Sequence, residues 1–175
     1  LVEFAVQTLI ELNAFEDDLI DLLNRRLETN LSDARRVWTL CHLGRVYEAR
    51  TGMETAAAEV YREALAIAPA HATATRALGR LFSRLGEWQA LGALYQQEIA
   101  GEKNTPGVWR RHFQAAEVFE HRVSDDRQAI KHYRAVLTLR PGFLPALKGA
   151  ARILEKHEEW AALADLFLSS VSVAS

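Results

Sequence analysis

The chain has 175 residues, 49% hydrophobic and 25% charged, a balance that excludes intrinsic disorder and allows a substantial buried core. A formal net charge of −2 supplies no global attraction to nucleic acid or to an anionic membrane, and no apolar run approaches the roughly 20 residues that span a bilayer. A single cysteine, Cys41, excludes an intramolecular disulfide, and a cytoplasmic location is the expectation.

Ala, Leu, Arg and Glu are abundant, while nine Gly and four Pro are few enough to serve as punctuation, so an all-α fold is expected. Helices are predicted near 2–13 and 16–28, an acidic end in which Glu3, Glu11, Glu16, Asp17, Asp18 and Asp21 precede the first basic residue, Arg25. The next pair, 33–50 and 54–67, carries apolar residues at spacings of three and four (Leu40, Leu43, Tyr47; Ala57, Tyr61, Ala64, Leu65), with Gly52 between them and Pro69 after. Helices at 71–85 and 88–101 flank Gly86, and helices at 106–122 and 126–139 flank Ser124-Asp125-Asp126. The last pair is 143–156, with Pro145 in its first turn, and 160–172. That makes ten helices in five hairpins, approximately 1–30, 33–69, 70–103, 106–141 and 142–175. The tail runs Leu166, Phe167, Leu168, Val171, Val173 without polar relief, so the chain is expected to be a segment of a longer array.

A copy of the chain laid over itself matches when Tyr47 falls on Phe119. The same shift puts Ala57 on Ala129, Tyr61 on Tyr133, Leu65 on Leu137, Pro69 on Pro141, Trp88 on Trp160, Leu91 on Leu163 and Tyr95 on Phe167. Each long unit defined by this shift therefore holds two hairpins. The shared place of Trp88 and Trp160 points to a role in hairpin packing, and Trp109 is expected to pack on the preceding hairpin. The units at 35–69 and 109–141 carry one extra residue in their turns.

Leu40-Cys41-His42-Leu43-Gly44-Arg45-Val46-Tyr47, followed by Ala57, Tyr61, Ala64 and Pro69, resembles the tetratricopeptide repeat, a helical hairpin with small residues where its two helices meet. Leu78-Gly79-x-x-Phe82 with Gly86 and Tyr95 repeats the signature, and Phe119, Ala129, Tyr133 and Pro141 keep it in part, with Ala115-Ala116 where Leu-Gly would stand. The match is good over 35–168 and poor over 1–34. The resemblance implies a right-handed α-solenoid of about five hairpins that holds another protein in its concave face. The alternation of a hairpin ending in Leu-x-Pro with one containing Glu-Trp-x-x-Leu is similar to long arrays in large bacterial multi-repeat proteins, which implies a bacterial scaffold.

In this family the first helix of each hairpin lines the groove. The positions so placed are Trp38, Cys41, Arg45 and Glu48; Arg76, Arg80 and Arg84; Arg110, Phe113, Glu117, Glu120 and His121; and Lys148, Arg152 and Lys156. Residues four apart stack on one helix face, so the cations form basic stripes, with Trp38 and Phe113 as aromatic footholds. An acidic, partly apolar segment of a partner protein is the expected ligand. The same stripes also suit solvated helix faces, which internal duplication would copy as faithfully as a binding site. The Lys–Asn clamp by which some members of the family grip chaperone C-terminal tails is missing, because its places hold Cys41, Arg45, Thr73, Ala77, Arg110 and Gln114.

No His pair stands at the i, i+4 spacing of two metal ligands on one helix, and no phosphate loop or nucleophile elbow occurs, so neither metal, cofactor nor catalysis is expected. Cys41 and His42 are adjacent, and point about 100° apart on a helix. An RNA-binding helical repeat is an alternative that the Arg stripes allow and that the negative net charge and the lack of a repeated base-reading pair oppose. A structural spacer, or self-association through terminal helices, needs only the stacking core.

Overall fold

The computed structural model of the chain describes residues 16–101 and 105–171, so the predicted helix at 2–13, with Glu3 and Glu11, lies outside the described residues. Among the described residues there are nine α-helices and no strand: α1 (Glu16–Leu27), α2 (Asp33–Ala49), α3 (Glu54–Ile67), α4 (Ala72–Leu85), α5 (Trp88–Gly101), α6 (Val108–Val118), α7 (Asp126–Leu139), α8 (Leu144–Lys156) and α9 (Trp160–Val171). The shift that lays Tyr47 on Phe119 also lays the start of α1 on that of α5, α5 on α9, α3 on α7 and α4 on α8, so the sequence period is also the period of the helices. The described residues gather in two compact units, divided along the chain between Gly86 and Glu87.

Breaks fall where the chain needs a left-handed residue. Gly86, at φ 72°, ends α4 and donates its N–H to the Phe82 carbonyl, a geometry that costs glycine nothing. Ser124 takes the equivalent conformation after α6, where no glycine is present. The extra turn residue noted in the sequence is absorbed differently in the two copies. In the first it lies in the turn after α2. In the second, α6 swells into a π-helical turn over Phe119–Val123, closed by the Asp125 N–H on the Phe119 carbonyl at 2.8 Å.

In the first unit α2 packs on α3 and α3 on α4; in the second α6 packs on α7 and α7 on α8. A buried tyrosine anchors each trio. Tyr61 lies over Gly44, where a Cβ would stand 2.6 Å from the ring, and Tyr133 lies over Gly149, where it would stand 2.4 Å away. The hydroxyls donate to Glu48 at 2.8 Å and Glu120 at 2.7 Å. Each acceptor also receives an arginine two helices on: Arg80 reaches Glu48 at 3.2 Å, and Arg152 reaches Glu120 at 2.7 Å. Arg84–Glu54 and Lys156–Asp126, one turn later, tie the same helices, α4 and α8, to the starts of α3 and α7. Burial opposes the ionisation of Glu120, but the bonds from Arg152 and Tyr133 hold its carboxyl below the usual range.

Two tryptophan expectations are corrected. Trp88 is half-buried, with the Arg122 guanidinium 4.8 Å over its ring, whereas Trp160 is 61% exposed and no described side chain stacks on it. Trp109 packs forward rather than backward: its ring meets Phe143 edge-on at 5.0 Å, with Arg140 above it at 4.5 Å, because the α7–α8 turn brings both residues over the start of α6.

Candidate interaction site

The residues picked out for partner binding separate into two groups. Arg80, Arg84, Arg152 and Lys156 are committed to the acids just described, although each stays more than half exposed. Their acids are mostly buried, so these pairs are not the fully exposed kind that contributes about 0.2–1 kcal/mol. Arg80→Ala and Arg152→Ala are each expected to lower stability by about 1–2 kcal/mol in urea melts, since each leaves a mostly buried carboxylate with one partner fewer. Arg45, Arg76, Arg110 and Lys148 are exposed and form no ion pair among the described residues; Arg76 donates to its own helix at the Ala72 carbonyl, and Arg110 lies 5.0 Å over the Trp109 ring. The acidic end of the chain also acts within the first unit, since Asp17 receives Arg50 at 2.6 Å.

Trp38 and Arg45 come together at a cavity of about 560 Å³ in the first unit. Its walls come from one face of α2 (Val37, Trp38, Cys41, His42, Arg45) and from the α3–α4 connection (Ile67, Ala68, His71, Thr73), with Asp33 and Ala34 at the start of α2. The residues at 37, 41 and 45 share a face because they are four apart. Trp38 meets His42 at 4.0 Å with the rings tilted by 43°, and Arg26 lies over the indole at 5.3 Å, which fixes the ring as a wall. His71 turns its Nδ1 inward, where it caps α4 by accepting the Ala74 N–H at 3.3 Å and lies 3.7 Å from the Cys41 Sγ. Burial pushes the Cys41 thiol up and, helped by Arg45, pushes His42 down, so neither adds charge at neutral pH. Arg45 and Asp33 are the charged side chains of the lining.

The equivalent place in the second unit is full. Trp109, Phe113 and Phe143 are the repeat counterparts of Val37, Cys41 and His71. Phe113 and Phe143 meet edge-on at 5.2 Å, and Trp109 closes the cluster on Phe143. Phe113 is therefore partly buried in the packing of its own unit. Val37, Ile67 and His71 were not picked out from the sequence as site residues. Comparing the two copies for loss of aromatic bulk, rather than for matches, is the signal that finds Val37 and His71.

A second feature absent from the sequence reading is a buried polar cluster in the second unit. His112 and His132, which lie on different helices, meet Nδ1 to Nδ1 at 3.0 Å; Phe119 lies parallel to His132, and Gln96 approaches its Nε2 at 3.4 Å. Burial, with His112 and Lys131 adding to it, pushes His132 down to about 4. No group of three metal-ligating side chains occurs among the described residues, and no described helix is long and apolar enough to cross a membrane.

Residues 74–107 match the tetratricopeptide repeat family. The chain is similar in structure to MamA protein (20% identity, 95% of this chain and 86% of that one, TM-score 0.53) and to MamA AMB-1 (17% identity, 99% and 90%, TM-score 0.57). It is likewise similar to MamA 41-end from Desulfovibrio magneticus RS-1 (14% identity, 99% and 93%, TM-score 0.51). At these identities the likeness is one of fold. Among curated proteins, no sequence matches the chain.

Proposed function

We propose that the chain, whose residues 74–107 match the tetratricopeptide repeat and whose helices share the fold of tetratricopeptide-like structures, is a non-catalytic interaction scaffold that holds an acidic, partly apolar segment of a partner protein in the first unit. The observation that carries this reading is the cavity of about 560 Å³ that joins an apolar wall, Trp38 and Val37, to Arg45, a cation unpaired among the described residues. A pocket of this size with few, placed polar groups suits one side chain of a bound segment. Arg76, Arg110 and Lys148 are the further contacts proposed for the segment's carboxylates. Arg80, Arg84, Arg152 and Lys156 join them by sharing or exchanging carboxylates, their charged heads being more than half exposed. The location we propose is cytoplasmic.

Panning a random peptide display library against the protein tests the reading. Enrichment of acidic peptides that hold to wild type and are lost from Arg45→Glu and Trp38→Ala is expected. Enrichment of nothing, or of peptides indifferent to both substitutions, would overturn it. A bound RNA would instead show affinity falling steeply with salt.

A further inference from the structure

We infer that the cavity of the first unit is a receptor for an aromatic side chain of the partner, next to an acidic residue. The inference rests on the scaffold reading above and names what the pocket takes. Its argument is internal to the molecule. The trios α2–α3–α4 and α6–α7–α8 share helix positions and share the Tyr–Glu–Arg device, Tyr61–Glu48–Arg80 in one and Tyr133–Glu120–Arg152 in the other. At one place the copies differ in kind. Where the second unit has three rings, Trp109, Phe113 and Phe143, the first has Val37, Cys41 and His71, and a cavity opens there. Three rings replaced by smaller residues at one aromatic site leave an apolar surface that an incoming ring can cover.

The walls suit a ring. Cys41 presents sulfur, which makes favourable contacts at an aromatic edge. The His71 imidazole and the Trp38–His42 pair offer edge and face partners of the kind that Phe143 offers Trp109 and Phe113. The cation at the mouth differs in place between the copies: Arg140 lies 4.5 Å over Trp109 and 5.4 Å over Phe143, where the first unit has Ala68, and Arg45 stands where the second has Glu117. The second unit thus sets its cation on its own rings, and the first keeps Arg45, unpaired among the described residues, at an open place. That cation selects a carboxylate beside the incoming ring, and lies within reach of the ring face as well.

The probe is 3-phenylpropionate, a phenyl ring with a nearby carboxylate, titrated into the ¹⁵N-labelled protein. Saturable amide shifts at Cys41, His42, Arg45 and His71 are expected, with none in the second unit. Cys41→Phe, which restores the ring found at position 113, is expected to abolish them; Val37→Trp, which restores the ring at 109, is the second test should Cys41→Phe fold poorly. Arg45→Glu is expected to weaken the acid about tenfold, the effect of about 1.4 kcal/mol, while leaving uncharged toluene binding unchanged. No saturable shift at millimolar probe, or shifts that survive a ring-filling variant, would overturn the inference. Failure here, with Arg45-dependent display peptides intact, would sink the aromatic receptor alone. A probe that binds while no peptide does would sink the scaffold reading and keep the pocket.

Discussion

Taking the protein from neutral pH to about pH 4 is expected to cost about 3 kcal/mol of stability, with the loss arising in the second unit at His132. His132 is 4% exposed, and its folded value of about 4 lies well below its ordinary 6.5. The Gln96 Nε2 can only donate to the His132 Nε2, so the proton of the neutral ring sits on Nδ1 and is donated to His112 Nδ1; a second proton, on Nε2, would meet the Gln96 N–H and find no acceptor. Phe119, stacked on the ring, offers no lone pair, Gln128 lies behind Gln96, and Lys131 adds repulsion. Between pH 6.5 and 4 the unfolded chain therefore binds a proton that the folded chain refuses, and stability falls as pH falls. Urea midpoints read by circular dichroism should drop progressively over that window. The first unit supplies the control, since Leu40 and Val60 stand where the histidines stand in the second. The variant with His112→Leu and His132→Val is expected to lose much less of its midpoint down to about pH 5, the remainder arising at His42, which burial and Arg45 also hold below its ordinary value; below that Glu120 and Asp126 begin to lose their own partners. An equal fall in the variant would place the pH dependence elsewhere.

That histidine pair also marks the limit of what the sequence tells. Helix positions and the period were legible because both rest on spacing: apolar residues recur at three and four, Gly86 and Pro145 punctuate, and α3, α5 and α7 begin and end where expected. The swelling of α6 into a π turn was visible as an extra residue but not as its remedy, because a loop and a π turn accommodate one residue equally well in one dimension. The basic stripes were legible as faces. That Arg80 and Arg152 each reach an acid 32 residues away was not, since such a partner is chosen by the packing of one helix on the next but one. His112 and His132 escaped for the same reason: spacing along one helix says nothing of two rings meeting across two. The cavity was hidden differently, in a comparison that sought identities between the two copies when the informative positions were the losses at Val37, Cys41 and His71.

Gly149→Ala is expected to destabilise the protein by about 2 kcal/mol, and Ala116→Gly is expected to recover about half of that loss although it is itself unfavourable. A Cβ at 149 would stand 2.4 Å from the Tyr133 Cζ and 2.6 Å from Cε2. The ring cannot simply swing away, because it is fully buried and its hydroxyl is tied to Glu120 at 2.7 Å. Over-packing of this kind costs up to about 3 kcal/mol, of which the better helix propensity of Ala offsets about 1. The first unit shows the way out. Its Tyr61 lies against Gly44, and Ala77 holds the place of Gly149, so one glycine and one alanine occupy the two small positions in either copy, in opposite order. Ala116 is the counterpart of Gly44 and is fully buried. Ala116→Gly alone should cost about 1 kcal/mol in helix propensity. The double variant converts the second unit to the order of the first, the ring shifts toward 116, and the loss should be about 1 kcal/mol rather than the sum of about 3. Urea melts of the two single variants and the double decide it: strict additivity would mean that the two small positions do not share the tyrosine, whereas a coupling of about 2 kcal/mol would mean that each copy needs one glycine against its ring and is indifferent to the side.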